Sequence, residues 1–202
     1  AVRSFPCGTA IGSDAFHPRI LLRLSPSALL LFLALLMACD RAGHWPRAVT
    51  NVIIALLPKL SGGLRPIGIF PTIVRIWMRL RAPIIREWEC LNDRAYFFAS
   101  KMKGANVALW LQAGHLEAAA ISKKLSGASL ADLIKAFERV SHQLLVREAQ
   151  HWAYPLWHLR LTLAAYRLGR RISINGLVSG LLYALRGITA GSVSATTELR
   201  LL

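Results

Sequence analysis

The feature that most constrains the fold is an unbroken apolar run at residues 28–38, ALLLFLALLMA. This run is only about half as long as the roughly 20 apolar residues that a helix needs to cross a membrane. Arg23 precedes it and Asp40 follows it, so charged residues bound the run on both sides. Ser25 with the proline after it is typical of a helix start, and Gly43 is typical of a helix end. We therefore predict one buried helix here, and a membrane-associated protein is the less favoured alternative.

The composition indicates a folded protein with a polyanionic partner. Apolar residues make up 54% of the 202 residues, which is enough for a hydrophobic core. Lys and Arg number 25 against 10 Asp and Glu, which gives a formal charge of +15 and favours nucleic acid as the partner. Cys7, Cys39 and Cys90 are too scattered for a disulfide framework or a metal site. This pattern favours a reducing, intracellular location, nuclear or cytoplasmic.

The N-terminal half of the chain predicts a hairpin followed by helices. Residues 1–24 lack periodicity and predict a loosely ordered lead-in. Residues 49–57 and 64–70 predict two strands around a Gly-Gly turn. A helix is predicted from Pro71, and we expect Pro83 to interrupt it before a second helical stretch at residues 84–91.

The C-terminal half predicts helices and a second hairpin, so the fold class is α+β. The helices are predicted at residues 104–125, 142–151 and 155–168. Residues 170–175 predict a strand, and residues 178–185 predict its return strand because Asn175-Gly176 is a strong hairpin signal. A glycine-containing loop then leads into a last helix.

The first stretch with residues suited to ligand binding is PKLSGGLRPI, residues 58–67. Its glycine turn brings Lys59 and Arg65 to one hairpin tip. Two cations on such a tip suit a triphosphate, Lys as a point charge and Arg as a fork. Taken alone, the same residues also fit a solvated basic turn.

The second stretch is DLIKAFERV, residues 132–140. It follows Leu130 in a short apolar run, and we expect Asp132 to end a central strand. A carboxylate in such a place is costly unless it is paired or binds a metal. Phe137 follows five residues later, where a flat ring could lie beneath a nucleotide sugar. Taken alone, Asp132 also fits a helix N-cap.

The third stretch is RGITAGS, residues 186–192, which follows the second predicted hairpin. Small residues such as Gly191 and Ser192 let a backbone approach a base pair closely. Taken alone, the stretch also fits an ordinary glycine-rich loop.

In this order, KLSGGLRPI, DLIKAFERV and GITAGS resemble the motifs of reverse transcriptases of the non-LTR retrotransposon and group II intron kind. In that family a K-x-G-x-x-R-P-I segment precedes a D-x-x-K-A-F-D stretch, and a G-x-x-Q-G-S loop follows. The resemblance covers roughly residues 45–202. It implies the fingers and partial palm of a right-hand polymerase: an N-terminal extension with the apolar helix at residues 1–44, fingers at 45–126 and partial palm at 127–202.

The resemblance also implies a role for each matching residue. Asp132 would be a catalytic residue and a ligand of Mg²⁺. Phe137 would be the aromatic gate that disfavours a ribose 2′-hydroxyl. Lys59 and Arg65 would bind the triphosphate of the incoming nucleotide.

Further residues would contact the substrates of such an enzyme. Gly191 and Ser192 would pack on the pair formed by template and nucleotide. Four arginines near the expected cleft would contact nucleic acid: Arg75, Arg79, Arg170 and Arg171. The implied partners are an RNA template, a DNA primer and deoxynucleoside triphosphates, with no membrane.

The chain departs from the family pattern at three points. Glu138 stands where Asp is commonest, and Ala190 stands where Gln is usual. No aromatic-x-Asp-Asp turn, the third catalytic motif of the family, occurs in these residues. Two catalytic metal ions about 3.5–4 Å apart need carboxylates from both motifs. We therefore expect a fragment cut off before that motif and inactive alone, with a non-catalytic basic RNA-binding module as the alternative.

Overall fold

A computed structural model describes residues 1–99 and 103–202 and shows a mixed α+β fold, as predicted. The chain divides into two compact units. The larger unit comprises residues 1–85 and 136–202, and the smaller unit comprises residues 86–135. The division into extension, fingers and palm at residues 44/45 and 126/127 stays a prediction.

A mixed sheet lies in the larger unit. Its strands are β1 (Asn51–Pro58), β2 (Leu64–Ile69), β3 (Gly169–Ile174) and β4 (Leu177–Val178), in the spatial order β2-β1-β3-β4. β1 pairs antiparallel with β2 and parallel with β3, and β3 pairs antiparallel with β4. Alternate β1 side chains are buried, as expected for a strand with one face on the core. The first predicted hairpin is therefore confirmed.

The second hairpin is confirmed at its turn and is shorter than predicted in its return strand. Asn175 and Gly176 have φ values of 48° and 83°, as a two-residue primed turn requires. Pairing continues beyond β4 through Ser179, whose amide donates to the carbonyl oxygen of Ile172, and through a bridge from Arg170 to Leu182. The return side has one extra residue between these contacts, and this bulge ends the regular ladder.

The helices follow the predicted periodicity closely. In chain order they are α1 (Pro26–Ala42), α2 (Thr72–Leu91), α3 (Ala105–Ile121), α4 (Ala136–Arg139), α5 (His142–His151), α6 (Leu156–Tyr166) and α7 (Ala195–Leu199). Short 3-10 turns lie at Val2–Ser4 and Pro18–Arg23.

Helix α1 forms with the predicted ends but is less buried than predicted. The side chain of Ser25 accepts a hydrogen bond from the amide of Ala28, and Gly43 ends the helix with a positive φ of 71°. Leu36 and Cys39 are buried, whereas Leu31 is 73% exposed. The reason is that α1 is apolar all round, so packing against α6 covers one face and leaves the opposite leucines outside. Among the described residues, no helix is long and apolar enough to cross a membrane.

Two other predictions near α2 were wrong. Pro83 does not interrupt the helix, because buried side chains on both sides of it, Trp77 and Ile85 among them, hold one continuous axis. Residues 1–24 are not a loose lead-in, since Asp14 caps the start of α2. Its carboxylate accepts a hydrogen bond from the amide of Thr72 at 2.5 Å.

Trp77 lies at the centre of the core of the larger unit. Its ring meets Trp45 edge-on at 5.5 Å and stacks on His158 at 4.8 Å. Its indole N–H donates to Asp40 at 2.6 Å, and the same carboxylate forms an ion pair with Arg81. These contacts join α1, α2 and α6.

Candidate functional site

A cleft of about 260 Å³ lies over the sheet of the larger unit, and we call it the sheet cleft. It is bounded by β1, β2 and β3, by α4 and by the glycine-rich loop at residues 186–192. All three motif stretches found in the sequence contribute to its lining, through Pro66, Gly68, Glu138, Ile188, Thr189 and Ala190.

One end of the glycine-rich loop is fastened to β2. The amide of Gly68 donates to the carbonyl oxygen of Ala190 at 2.6 Å. Gly191 follows with a φ of 113°, a conformation that residues with a Cβ rarely adopt. A Cβ on Gly191 would also overlap the carbonyl oxygen of Gly68. A glycine at position 191 is therefore required by both conformation and space.

The other end of the loop is fastened to α4 and the residue after it. The amide of Gly187 donates to the carbonyl oxygen of Val140 at 2.8 Å, and the amide of Ile188 donates to that of Phe137 at 2.8 Å. A Cβ on Gly187 would lie 2.9 Å from the carbonyl oxygen of Glu138. The loop therefore bridges the KAFERV segment and the RPIGI strand. Its residue Ile188 contacts the backbone of Phe137.

A cation and an acid face each other across the sheet cleft. Arg170 donates to the carbonyl oxygen of Tyr166 at 3.2 Å and to the hydroxyl of Thr189 at 3.1 Å. Burial lowers the pKa of Arg170, and the carboxylate of Glu138 raises it in part. Arg171, the next residue along β3, is exposed to solvent. The cleft thus contains a positioned guanidinium, and β3 carries a second one that is exposed. Nucleic-acid binding by both arginines stays a prediction.

The first hairpin presents the predicted pair of cations at its tip. Lys59 and Arg65 line a shallow cleft of about 430 Å³ at the turn. The amide of Lys59 donates to the carbonyl oxygen of Gly63 at 3.0 Å, and Gly62 and Gly63 both have positive φ values. Both cations lie at one hairpin tip, and a position on the same side as Asp132 and the binding of a triphosphate stay predictions.

Two of the predicted nucleic-acid arginines contact the N-terminal segment. Arg75 donates to the carbonyl oxygen of Ala10 at 2.7 Å. Arg79 donates to the carbonyl oxygen of Ser4 at 2.8 Å, and its guanidinium lies 4.0 Å from the ring centroid of Phe5. These contacts explain why residues 1–24 are packed. Phosphate binding by the two arginines stays a prediction.

Asp132 does not end a strand, and in this respect the sequence prediction was wrong. It lies in an exposed stretch without regular secondary structure in the smaller unit, and Leu130 and Leu133 beside it are exposed as well. These few apolar side chains have no core to pack against, so a strand at this position would gain no stability from burial. Within residues 1–99 and 103–202, no cluster of three His, Cys, Asp or Glu side chains could hold a metal. The catalytic and metal-binding roles of Asp132 stay predictions.

Sequence reasoning missed the importance of Gly68 and Glu198. Gly68 carried a usable signal, since a glycine inside a strand often marks close approach of another backbone. Glu198 is buried completely and accepts hydrogen bonds from α6. The sequence signal for Glu198 was an acidic residue in the short segment that directly follows the glycine-rich loop.

No protein-family model matches the chain, and no curated protein shows a significant sequence match to it.

Proposed function

We propose that this chain forms part of the nucleotide- and template-binding surface of a reverse-transcriptase-like polymerase, and that these residues alone do not polymerise. One observation supports this function above others. Segments far apart in sequence, RPIGI, AFERV and GITAGS, meet around the sheet cleft in the larger unit. They overlap the segments that resemble the family motifs, and Asp132 lies outside them in the smaller unit.

Each part of this arrangement suits a task in nucleotide binding. The exposed cations Lys59 and Arg65 suit the phosphates of an incoming nucleotide. The glycine-rich loop presents backbone without bulky side chains at Gly191 and Ser192, which suits contact with a flat base pair. Phe137 lies beside that loop, where an aromatic ring suits contact with a sugar.

The residues described here do not by themselves form a site for two metal ions. In template-directed nucleotidyl transfer, metal ions stabilise the charge that develops when a primer 3′-hydroxyl attacks the nucleotide. Asp132 is the matching acid, and it has no cluster of acids around it among the described residues. We therefore assign the chain a binding role and assign no catalytic step.

A basic RNA-binding module without nucleotide chemistry is the second candidate. The formal charge of +15 favours it, because that charge alone supplies non-specific affinity for phosphate. The two candidates differ in whether the hairpin tip binds a triphosphate independently of RNA.

Binding of a fluorescent deoxynucleoside triphosphate and of a single-stranded RNA, measured separately, tests the proposal. A double variant, Lys59→Glu with Arg65→Glu, should weaken triphosphate binding by at least roughly tenfold, because each lost charged contact is worth on the order of 1.5–3 kcal/mol. Lys123→Glu with Lys124→Glu, two exposed cations of the smaller unit, is the matched control. Wild-type chain that binds RNA but no triphosphate would overturn the proposal in favour of the second candidate.

A further inference from the structure

Three polar side chains form a buried stripe along one face of α6. They are His158, Thr162 and Tyr166, and their spacing of four residues places them above one another on the helix. All three are completely buried. The stripe faces the segment of residues 192–199, which leads from the glycine-rich loop into α7.

The first contact of the stripe holds the end of the loop. The ring nitrogen Nε2 of His158 lies 2.9 Å from the hydroxyl of Ser194, and the amide of Ser194 donates to the hydroxyl of Ser192 at 3.2 Å. Burial lowers the pKa of His158 to about 3, with Arg81 adding to the effect. This contact is therefore made by a neutral imidazole.

The second contact of the stripe is made with the carboxyl group of Glu198. The hydroxyl of Tyr166 donates to Oε2 at 2.5 Å, and the hydroxyl of Thr162 lies 2.9 Å from Oε1. The Thr162 hydroxyl also lies 2.9 Å from the carbonyl oxygen of Leu159, which can only accept. The carboxyl group therefore accepts from two hydroxyls, Tyr166 and Thr162. It is also completely buried, and a full charge in such a place is costly, so burial favours the neutral form.

The electrostatics agree with this effect of burial. Burial raises the pKa of Glu198 from 4.5 to about 7, and the hydrogen bonds from Tyr166 and Thr162 lower it in part. Ser192 of the glycine-rich loop lowers the pKa of Tyr166 in part, which offsets some of the rise caused by burial and Glu198.

We propose that Glu198 is a proton-operated latch, which holds residues 192–199 on α6 while its carboxyl group is protonated and loosens them when the proton leaves. The carboxylate left behind would be a completely buried charge, which the hydroxyls of Tyr166 and Thr162 stabilise only in part. Because the amide of Ser194 donates to the hydroxyl of Ser192, and Ala190 of the same loop accepts from Gly68, loosening spreads to one wall of the sheet cleft. The latch thereby regulates the site of the proposed function and in that respect rests on it.

Other ionisable groups lie around Glu198. Tyr166 stays protonated, because burial and Glu198 raise its pKa well above the ordinary value, and Tyr154 adds to that rise. Arg200 follows on the same chain segment. His158 becomes protonated more easily once residues 192–199 open. The effect of this protonation on the pH dependence of docking is opposite in sign to that of Glu198. The test must therefore compare two proteins that both contain His158.

Amide hydrogen exchange of residues 192–199 in wild type and in Glu198→Gln, from pH 4.5 to 8, makes that comparison. Gln is a neutral amide of the same shape. The sign follows from the raised pKa: the docked state binds the proton more tightly, so docking is strongest below pH 4.5 and weakens up to about pH 7. The ratio of the wild-type opening constant to that of the variant should rise about tenfold per pH unit in this window and then level off. Glu117→Gln, an exposed acid on α3, should leave the opening constants unchanged.

A ratio that stays constant with pH would overturn the latch. Direct ¹³C titration of the Glu198 carboxyl in the wild-type chain gives an answer even if the variant fails to fold: a midpoint near 7 supports the latch and one near 4.5 overturns it. Neither measurement uses a nucleotide. Loss of triphosphate binding with the titration intact would reject the proposed function alone, and normal triphosphate binding with a midpoint near 4.5 would reject the latch alone.

Discussion

The amide of Gly68 and the carbonyl oxygen of Ala190 are joined by a hydrogen bond of 2.6 Å, which fastens the glycine-rich loop to β2. A side chain at position 68 would overlap the methyl group of Thr189. The contact therefore depends on a residue without a Cβ inside a strand. It makes the RPIGI strand and the GITAGS loop one wall of the sheet cleft, so the shape of the cleft is sensitive to small changes in this wall.

Gly191→Ala should destabilise the larger unit by about 1–3 kcal/mol. Its φ of 113° is strained for alanine, and the added Cβ would overlap the carbonyl oxygen of Gly68. Urea unfolding followed by tryptophan fluorescence measures the change, because Trp77 reports on the core of this unit.

Gly180→Ala is the matched control for that measurement. Gly180 is exposed, and a Cβ there would have no atom within 4 Å. Its substitution should change the free energy of unfolding by no more than about 0.5 kcal/mol. Equal effects of the two substitutions would show that the loop is not held on Gly68 as described.

Asp14→Ala should destabilise the larger unit by about 1–2 kcal/mol, because Asp14 caps α2 from a distant part of the chain. Its carboxylate accepts from the amide of Thr72 at 2.5 Å, and the hydroxyl of Thr72 donates to the carbonyl oxygen of Phe16 at 2.6 Å. Asp14→Asn should cost less, since the amide oxygen can still accept. Thermal unfolding of Asp132→Ala, an exposed aspartate outside any helix, supplies the comparison and should differ little from wild type.

Local signals in the sequence predicted much of the fold. Ser25 and Gly43 marked the ends of α1, and Asn175-Gly176 marked the turn of the second hairpin. Helix α5 has the predicted bounds of residues 142–151. These features depend on neighbouring residues, through capping bonds and positive φ values, and local sequence therefore contains the information needed to predict them.

Features that depend on distant residues were not predictable in the same way. The capping of α2 by Asp14, the fastening of Ala190 to Gly68 and the burial of Glu198 each need a partner far along the chain. The same limit explains the wrong prediction of a strand at Asp132. An apolar run forms a buried strand only when the rest of the fold provides a surface for it to pack against. The residues of the run do not show whether such a surface exists.

His158→Gln should change the acid sensitivity of the larger unit. The pKa of His158 in the folded state is about 3, below its ordinary value of 6.5. The unfolded chain therefore binds the proton more readily, so the stability conferred by neutral His158 is complete above pH 6.5 and is lost as the pH falls towards 3. The free energy of unfolding of wild type relative to the variant should fall by about 1.4 kcal/mol per pH unit in this window.

Urea unfolding at several pH values gives this difference, and the contribution of Glu198 cancels because both proteins contain it. His115→Gln, an exposed histidine on α3, is the control and should leave the free energy of unfolding close to that of wild type. A pH-independent difference for His158→Gln would show that His158 is not held neutral in the core.

Wild-type chain should bind nucleic acid with a strong dependence on salt and little dependence on sequence. The formal charge is +15, and Arg171 is exposed on β3. If about five phosphates are neutralised, the slope of log K against log salt should be near −4.5 on duplex and near −3.5 on single strands, by roughly 0.9 and 0.7 per phosphate. A flat salt titration would reject phosphate binding.

Arg171→Ala and Arg79→Ala then distinguish exposed cations from cations that hold the fold. Arg171→Ala should reduce the slope on duplex by about 0.9, because one phosphate contact is lost. Arg79 donates to the carbonyl oxygen and hydroxyl of Ser4, so Arg79→Ala should reduce the slope less and destabilise the packing of the N-terminal segment instead. Fluorescence anisotropy over a salt series measures the slope, and thermal unfolding measures the packing. An equal loss of slope from both substitutions would mean that Arg79 leaves Ser4 to bind phosphate, because counterion release depends on contacts made in the complex and not on those of the free chain.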